Sequence, residues 1–209
     1  IQAFDSQGNP LRVCVSGKSG NNSGHARTDI LLKVMVPALS YITVRIEEGE
    51  KKSFAFCELP PDPRCIYYKP LVLENELVKV TFDPANLTIS SYFNKKTGKE
   101  MLSHEGGQFL LFRENKVPRG GCAWVEGIHM DEIDLHKAGT PMLKSPVSAN
   151  PLRQQLEYEI LYQENILKVK AVLDAGSPIL ELEVFADWRM AADDKGSPKL
   201  SFRAGLADT

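Results

Sequence analysis

Three long apolar or alternating runs, separated only by short turns, constrain this chain more than any other feature. Residues 152–162 are followed, after Gln163-Glu164-Asn165, by residues 166–173. Asp174-Ala175-Gly176-Ser177-Pro178 then leads into residues 179–188. In the last run Leu180, Leu182 and Val184 share one face and Glu181 and Glu183 the other, the period of two that marks a half-buried strand. Runs of this length joined by such short turns predict an antiparallel meander in a large sheet.

The same signal recurs upstream. Val78, Val80 and Phe82 alternate with Lys79, Thr81 and Asp83, and the pattern resumes from Leu87 to Phe93 after the turn Pro84-Ala85-Asn86. Together they read as a hairpin, with a second turn at Lys95-Lys96-Thr97-Gly98. No segment carries a helical period with caps; the nearest, residues 188–194, is short and ends at Lys195-Gly196-Ser197-Pro198. The chain is therefore expected to be all-β, a small β-sandwich followed by a larger antiparallel sandwich. The boundary falls at Glu58-Leu59-Pro60-Pro61-Asp62-Pro63, where prolines cannot donate to a sheet ladder. This divides the chain into a small domain over 1–58, with strands expected at 12–16, 30–36 and 41–47, a proline-rich linker over 59–70 and a large domain over 71–209.

Composition excludes several functions. A net charge of -2, with 25 dispersed Lys and Arg, provides no concentrated basic face for nucleic acid or a membrane surface. No apolar run approaches the ~20 residues that span a bilayer. The chain opens Ile1-Gln2-Ala3-Phe4, without an initiator Met or a leader, and reads as part of something longer. Cys14, Cys57, Cys65 and Cys122 form no Cys-x-x-Cys pair, so a zinc ribbon is excluded. Cys57 and Cys65 are near enough in sequence to bridge, although the prolines between them work against it. Free thiols in a reducing cytoplasm are the expectation.

Few motifs carry chemistry. Ser16-Gly17-Lys18-Ser19-Gly20 contains Gly-Lys-Ser, but a phosphate-binding loop needs a glycine where Arg12 stands and a helix to follow. The segment reads instead as a polar hairpin loop. In an extended strand Glu132, Asp134 and His136 would share a face, with Ile133 and Leu135 turned to a core. That arrangement suits metal ligands or, more simply, a solvated strand face. Many acids are present, yet none occupies an apolar setting that would flag a raised pKa; Asp187 beside Trp188 is the nearest case. No Gly-x-Ser-x-Gly elbow occurs. Among the aromatics, Tyr67, Tyr68, Trp124, Tyr158 and Trp188 have rings suited to stacking on a sugar, and equally suited to a core.

Several stretches, in order, resemble the region C-terminal to the catalytic domain of family 38 glycoside hydrolases, the retaining α-mannosidases. Val36-Pro37-Ala38-Leu39-Ser40-Tyr41 with Val44-Arg45 is similar to the end of their small β-domain. Leu73-Glu74-Asn75-Glu76-Leu77-Val78-Lys79-Val80-Thr81-Phe82-Asp83 resembles the strand that opens their large sandwich. The partner from Leu87 to Glu100 continues the resemblance, and this block is its most specific part. Trp124 with Ile133-Asp134, and the run from Leu173 to Arg189, match more loosely.

The resemblance implies a galactose-mutarotase-like supersandwich, truncated at its C-terminal end and exposing sheet edges. It also implies a parent that hydrolyses α-mannosides with zinc and an aspartate nucleophile on a preceding β/α domain. No residue here matches the family's catalytic or zinc motif, so no catalytic, cofactor-binding or metal residue is assigned. Zinc is expected in the catalytic domain of the parent, and that domain and an α-mannoside or oligosaccharide are the expected partners. Trp124 and Trp188 are the candidate sugar contacts. Two rival readings remain: a stand-alone carbohydrate-binding module, and a mutarotase-like epimerase drawing on His104-Glu105 and His129 as acid and base.

Overall fold

The computed structural model describes residues 1–20, 26–48, 71–114, 129–148, 150–193 and 196–207. The expected domain boundary at 58 and the linker over 59–70 lie outside the described residues, as do Tyr67, Tyr68, Trp124, Cys57, Cys65 and Cys122. Among the described residues the architecture is nearly all strand, as the alternation predicts. In the N-terminal part β1 (Gln2–Phe4) is central, flanked by β2 (Pro10–Leu11) and by β5 (Arg45–Glu47). A separate ribbon pairs β3 (Val13–Gly20) with β4 (Ala26–Leu32). The Gly-Lys-Ser segment is thus part of a strand that runs to Gly20, and the element after it is another strand rather than a helix.

The described residues of 71–207 build three antiparallel sheets. The first runs in chain order through β6 (Leu71–Glu74), β7 (Val78–Phe82), β8 (Ile89–Asn94) and β9 (Lys99–Glu100). The second places β10 (Gln108–Glu114) between β11 (His129–Asp134) and β16 (Ser197–Arg203). The third is the expected meander: β12 (Thr140–Ser145), β13 (Arg153–Tyr162), β14 (Asn165–Asp174) and β15 (Leu180–Asp187). Alternation decides which face each strand buries. Leu71, Leu73, Val78, Val80, Phe82 and Ile89 of the first sheet meet Leu156, Tyr158, Ile160, Leu167, Val169 and Ala171 of the third in one core. Phe109 and Leu111 of β10 join it. Each fully buried side chain of this size contributes about 1.5–3 kcal/mol.

Turn chemistry sets the registers. Between β6 and β7, Asn75 Oδ1 accepts from the main-chain N–H groups of Leu77 and Val78 at 2.8 and 2.9 Å. Its Nδ2 donates to the carbonyls of Asp174 and Ser177, each at 2.7 Å, and so ties this turn to the loop leading into β15. Between β13 and β14, Gln163 adopts φ 53°, a left-handed conformation that disfavours a residue with Cβ. Gln163→Gly is expected to stabilise the protein by about 0.5–1 kcal/mol, read as a raised urea midpoint. No gain would mean that this turn is unstrained.

Strand β11 ends sooner than its alternation suggests. Asp134 accepts from the His136 N–H at 2.9 Å and caps a four-residue helix, α1 (Leu135–Ala138). The helix closes at Gly139, where a Cβ would lie 2.7 Å from the Leu135 carbonyl and 2.8 Å from that of Leu161. Only glycine lets the chain pass from α1 into β12 there.

Candidate functional site

The early end of β11 changes the fate of the acid and histidine cluster. Glu132 faces solvent and pairs with Arg203 at 2.5 Å, whereas Leu135 and His136 are buried by α1. The three residues expected on one strand face are therefore not together. Among the described residues no group of three His, Cys, Asp or Glu comes close enough to hold a metal ion. Asp187 is bound by the Arg189 guanidinium at 2.9 and 3.2 Å, which keeps its carboxyl below the usual carboxylate range. Arg153 does the same for Asp174, and Arg203 for Glu132, each chiefly through a hydrogen bond. These carboxylates stay ionised at neutral pH, which suits structural ion pairs and not a general acid.

The other candidates scatter. Trp188 is partly buried against the main core, and Tyr158 lies within it. His104 is exposed, with its Nδ1 2.9 Å from Ser103 Oγ, and Glu105 lies 4.0 Å from Lys137. His129 opens β11, whereas His104 and Glu105 lie in the loop between β9 and β10. The described geometry does not bring an acid and a base together from these residues.

Two surface features do stand out. The first lies along β15 and β16, the last strands of their sheets among the described residues. A groove of about 380 Å³ there is lined by Phe109, Leu182, Val184, Leu200, Ser201 and Phe202. Phe202 is 51% exposed although its ring lies 5.5 Å from that of Phe109. This is an apolar seam with two strand edges, the kind of surface that ordinarily packs against further protein.

The second is a trough of about 480 Å³ on the solvent face of the meander. Glu159 draws in Lys144 at 3.2 Å and Lys168 at 3.9 Å, and Lys170 pairs with Glu183 at 3.2 Å. Phe185 stands directly opposite Lys168 across the ladder and is 62% exposed. An open aromatic ring beside carboxylate acceptors and ammonium donors can stack on the apolar face of a sugar while bonding its hydroxyls. The sequence holds a signal for this site. Phe185 falls on the same side of its strand as Glu181 and Glu183, out of phase with Leu180, Leu182 and Val184. An apolar residue on the polar face of an alternating strand is the mark that reasoning from tryptophans alone passes over.

The sequence model described as "Glycosyl hydrolases family 38 C-terminal domain" matches residues 73–204, from β6 to the end of β16. The chain belongs to that family. The match covers all three sheets of the larger unit, so core, seam and trough all belong to the family 38 C-terminal domain. A comparison with curated proteins finds no match.

Proposed function

We propose that this chain is the non-catalytic β-region of a zinc-dependent retaining α-mannosidase, bracing a catalytic β/α domain carried by the same polypeptide. The observation that carries this reading is the family 38 C-terminal match over 73–204. The family resemblance assigns the zinc to that catalytic domain. It assigns no catalytic step to this chain. The apolar seam along β15 and β16 supports the bracing role, because it offers two strand edges and exposed apolar side chains that neighbouring protein can cover. The sparse cysteines fit a cytoplasmic parent in which all 4 remain free thiols. A thiol count in denaturant without reductant would return fewer if that were wrong. The central test is enzymatic: the purified chain is expected not to hydrolyse an aryl α-mannoside with or without zinc. Zinc-dependent turnover by the chain alone would overturn the reading.

The exposed Phe185 in its charged trough favours a second role, binding of an oligosaccharide by the domain itself. Saturable binding of a mannobiose that survives chelation is expected by calorimetry, with at least a tenfold loss in Phe185→Ala, roughly the 1.4 kcal/mol of one stacking contact. Binding that is unchanged in Phe185→Ala and lost in Trp124→Ala would move the site elsewhere.

A further inference from the structure

A single imidazole joins the three sheets of residues 71–207. His136 is 2% exposed. Its Nδ1–H donates to the Asn86 carbonyl in the β7–β8 turn at 2.7 Å. The ring stacks on Phe109 of β10, with centroids 5.8 Å apart and planes 14° from parallel. Tyr158 of β13 meets it at 6.2 Å with a 50° tilt. The carbonyl at Nδ1 fixes the proton on that nitrogen, and the buried Nε2 has no hydrogen-bond partner. The neutral ring therefore fits its surroundings, while a second proton would place a charge in a buried site where only the Gly107 carbonyl and the carboxylates Asp134 and Glu105 favour it.

We propose that His136 is a pH-sensitive latch: the uncharged ring fastens α1 to all three sheets, and acid releases that junction by charging it. The groups around the ring leave little to offset such a charge. On its own segment, Asp134 already accepts from the His136 N–H and from Gln108 Nε2 at 3.2 Å, and forms an ion pair with Lys137 Nζ at 3.5 Å. Glu105, from the loop before β10, shares Lys137 at 4.0 Å. Tyr158 stays neutral because burial pushes its phenol pKa up. The β7–β8 turn presents the Asn86 carbonyl, with the Asp83 carboxylate engaged by the Ala85 N–H at 2.8 Å.

Burial is the largest influence on the imidazole and lowers its pKa, outweighing the opposing pull of the Asn86 carbonyl, Asp134, the Gly107 carbonyl and Glu105. The unfolded chain, with a value near 6.5, then takes up the proton before the folded one. The latch is complete above pH 6.5 and is lost as pH falls from there through the folded value. The ionised acids Glu132, Asp174 and Asp187 work in a lower window, since their ordinary values are 4.5, 3.8 and 3.8. The latch does not depend on the mannosidase reading.

The test is urea unfolding of the whole chain, by Trp fluorescence and far-UV circular dichroism, between about pH 7.5 and 5. The folding constant of the wild type is expected to fall with a slope approaching tenfold per pH unit below the ordinary histidine range. His136→Asn retains an amide donor toward Asn86, and His136→Phe retains the ring. Neither can take the proton, so both are expected to be flat from about pH 7.5 to 6, where the carboxylates are still ionised in both states. Hydrogen exchange in the wild type should show the amides of α1 opening first at the acid end. A wild type without the slope, or a variant that keeps it, would overturn the proposal. Should neither variant fold, the imidazole proton shifts of the wild type decide: a ring titrating at its ordinary value in the folded protein refutes the latch.

Discussion

Phe82→Ala is expected to destabilise the larger unit by about 3–5 kcal/mol, the cost of emptying a fully packed aromatic site. Phe82 is 1% exposed at the end of β7, in the core shared by the first and third sheets. Its neighbours belong to separate strands held by their own ladders and cannot close over the cavity without breaking register. Phe93→Ala provides the control. Phe93 is paired across the sheet with Lys79 and Glu100, on the solvent face, and its loss is expected to cost under about 1 kcal/mol. Denaturant midpoints of the two variants decide the matter, and equal costs would mean that the β7–β8 register is misassigned.

Asn75→Ala is expected to cost about 2–4 kcal/mol, unusually much for a turn residue. The substitution removes the two acceptor bonds that close the β6–β7 turn and the two donor bonds that reach the Asp174 and Ser177 carbonyls. Asn75→Asp separates the two effects. It keeps the acceptor and loses the donors, and at neutral pH it sets a carboxylate against two carbonyl oxygens. Its defect should therefore ease as pH falls and the carboxyl is protonated, since its folded pKa is raised above the unfolded value. Asn75→Ala lacks that recovery. A full recovery in Asn75→Asp at neutral pH would show that the contacts to the β14–β15 loop add nothing to stability.

The meander and the β7–β8 hairpin were legible because their signals are local. A strand facing a core on one side must alternate with a period of two, and turns this short leave antiparallel pairing as the only closure. The predicted runs at 152–162, 166–173 and 179–188 agree with β13, β14 and β15 to within a residue or two at each end. Local reasoning misjudged residues 132–136 for an equally physical reason. The alternation Glu132, Asp134, His136 is real, but Asp134 spends its carboxylate on capping, and the chain turns into α1 before the third residue of the pattern. A cap competes with strand continuation, and which wins depends on whether Leu135 and His136 find a core to enter.

The sequence by itself determined that the chain is all-β, where the β7–β8 hairpin and the β13–β15 meander run, which face of β7 and β15 is apolar, and, by resemblance, the family. Each of these follows from interactions between residues a few positions apart, or from a pattern carried along the chain. Tertiary structure alone decided the rest. It paired β10 with β16, bringing Phe109 opposite Phe202, and it set Asn75 against carbonyls 99 and 102 residues away. It also drew Lys144, Glu159, Lys168 and Phe185 into one trough, and enclosed His136 among three sheets. Contacts of that span are fixed by which apolar faces can be buried together, a property of the whole chain that no local period records.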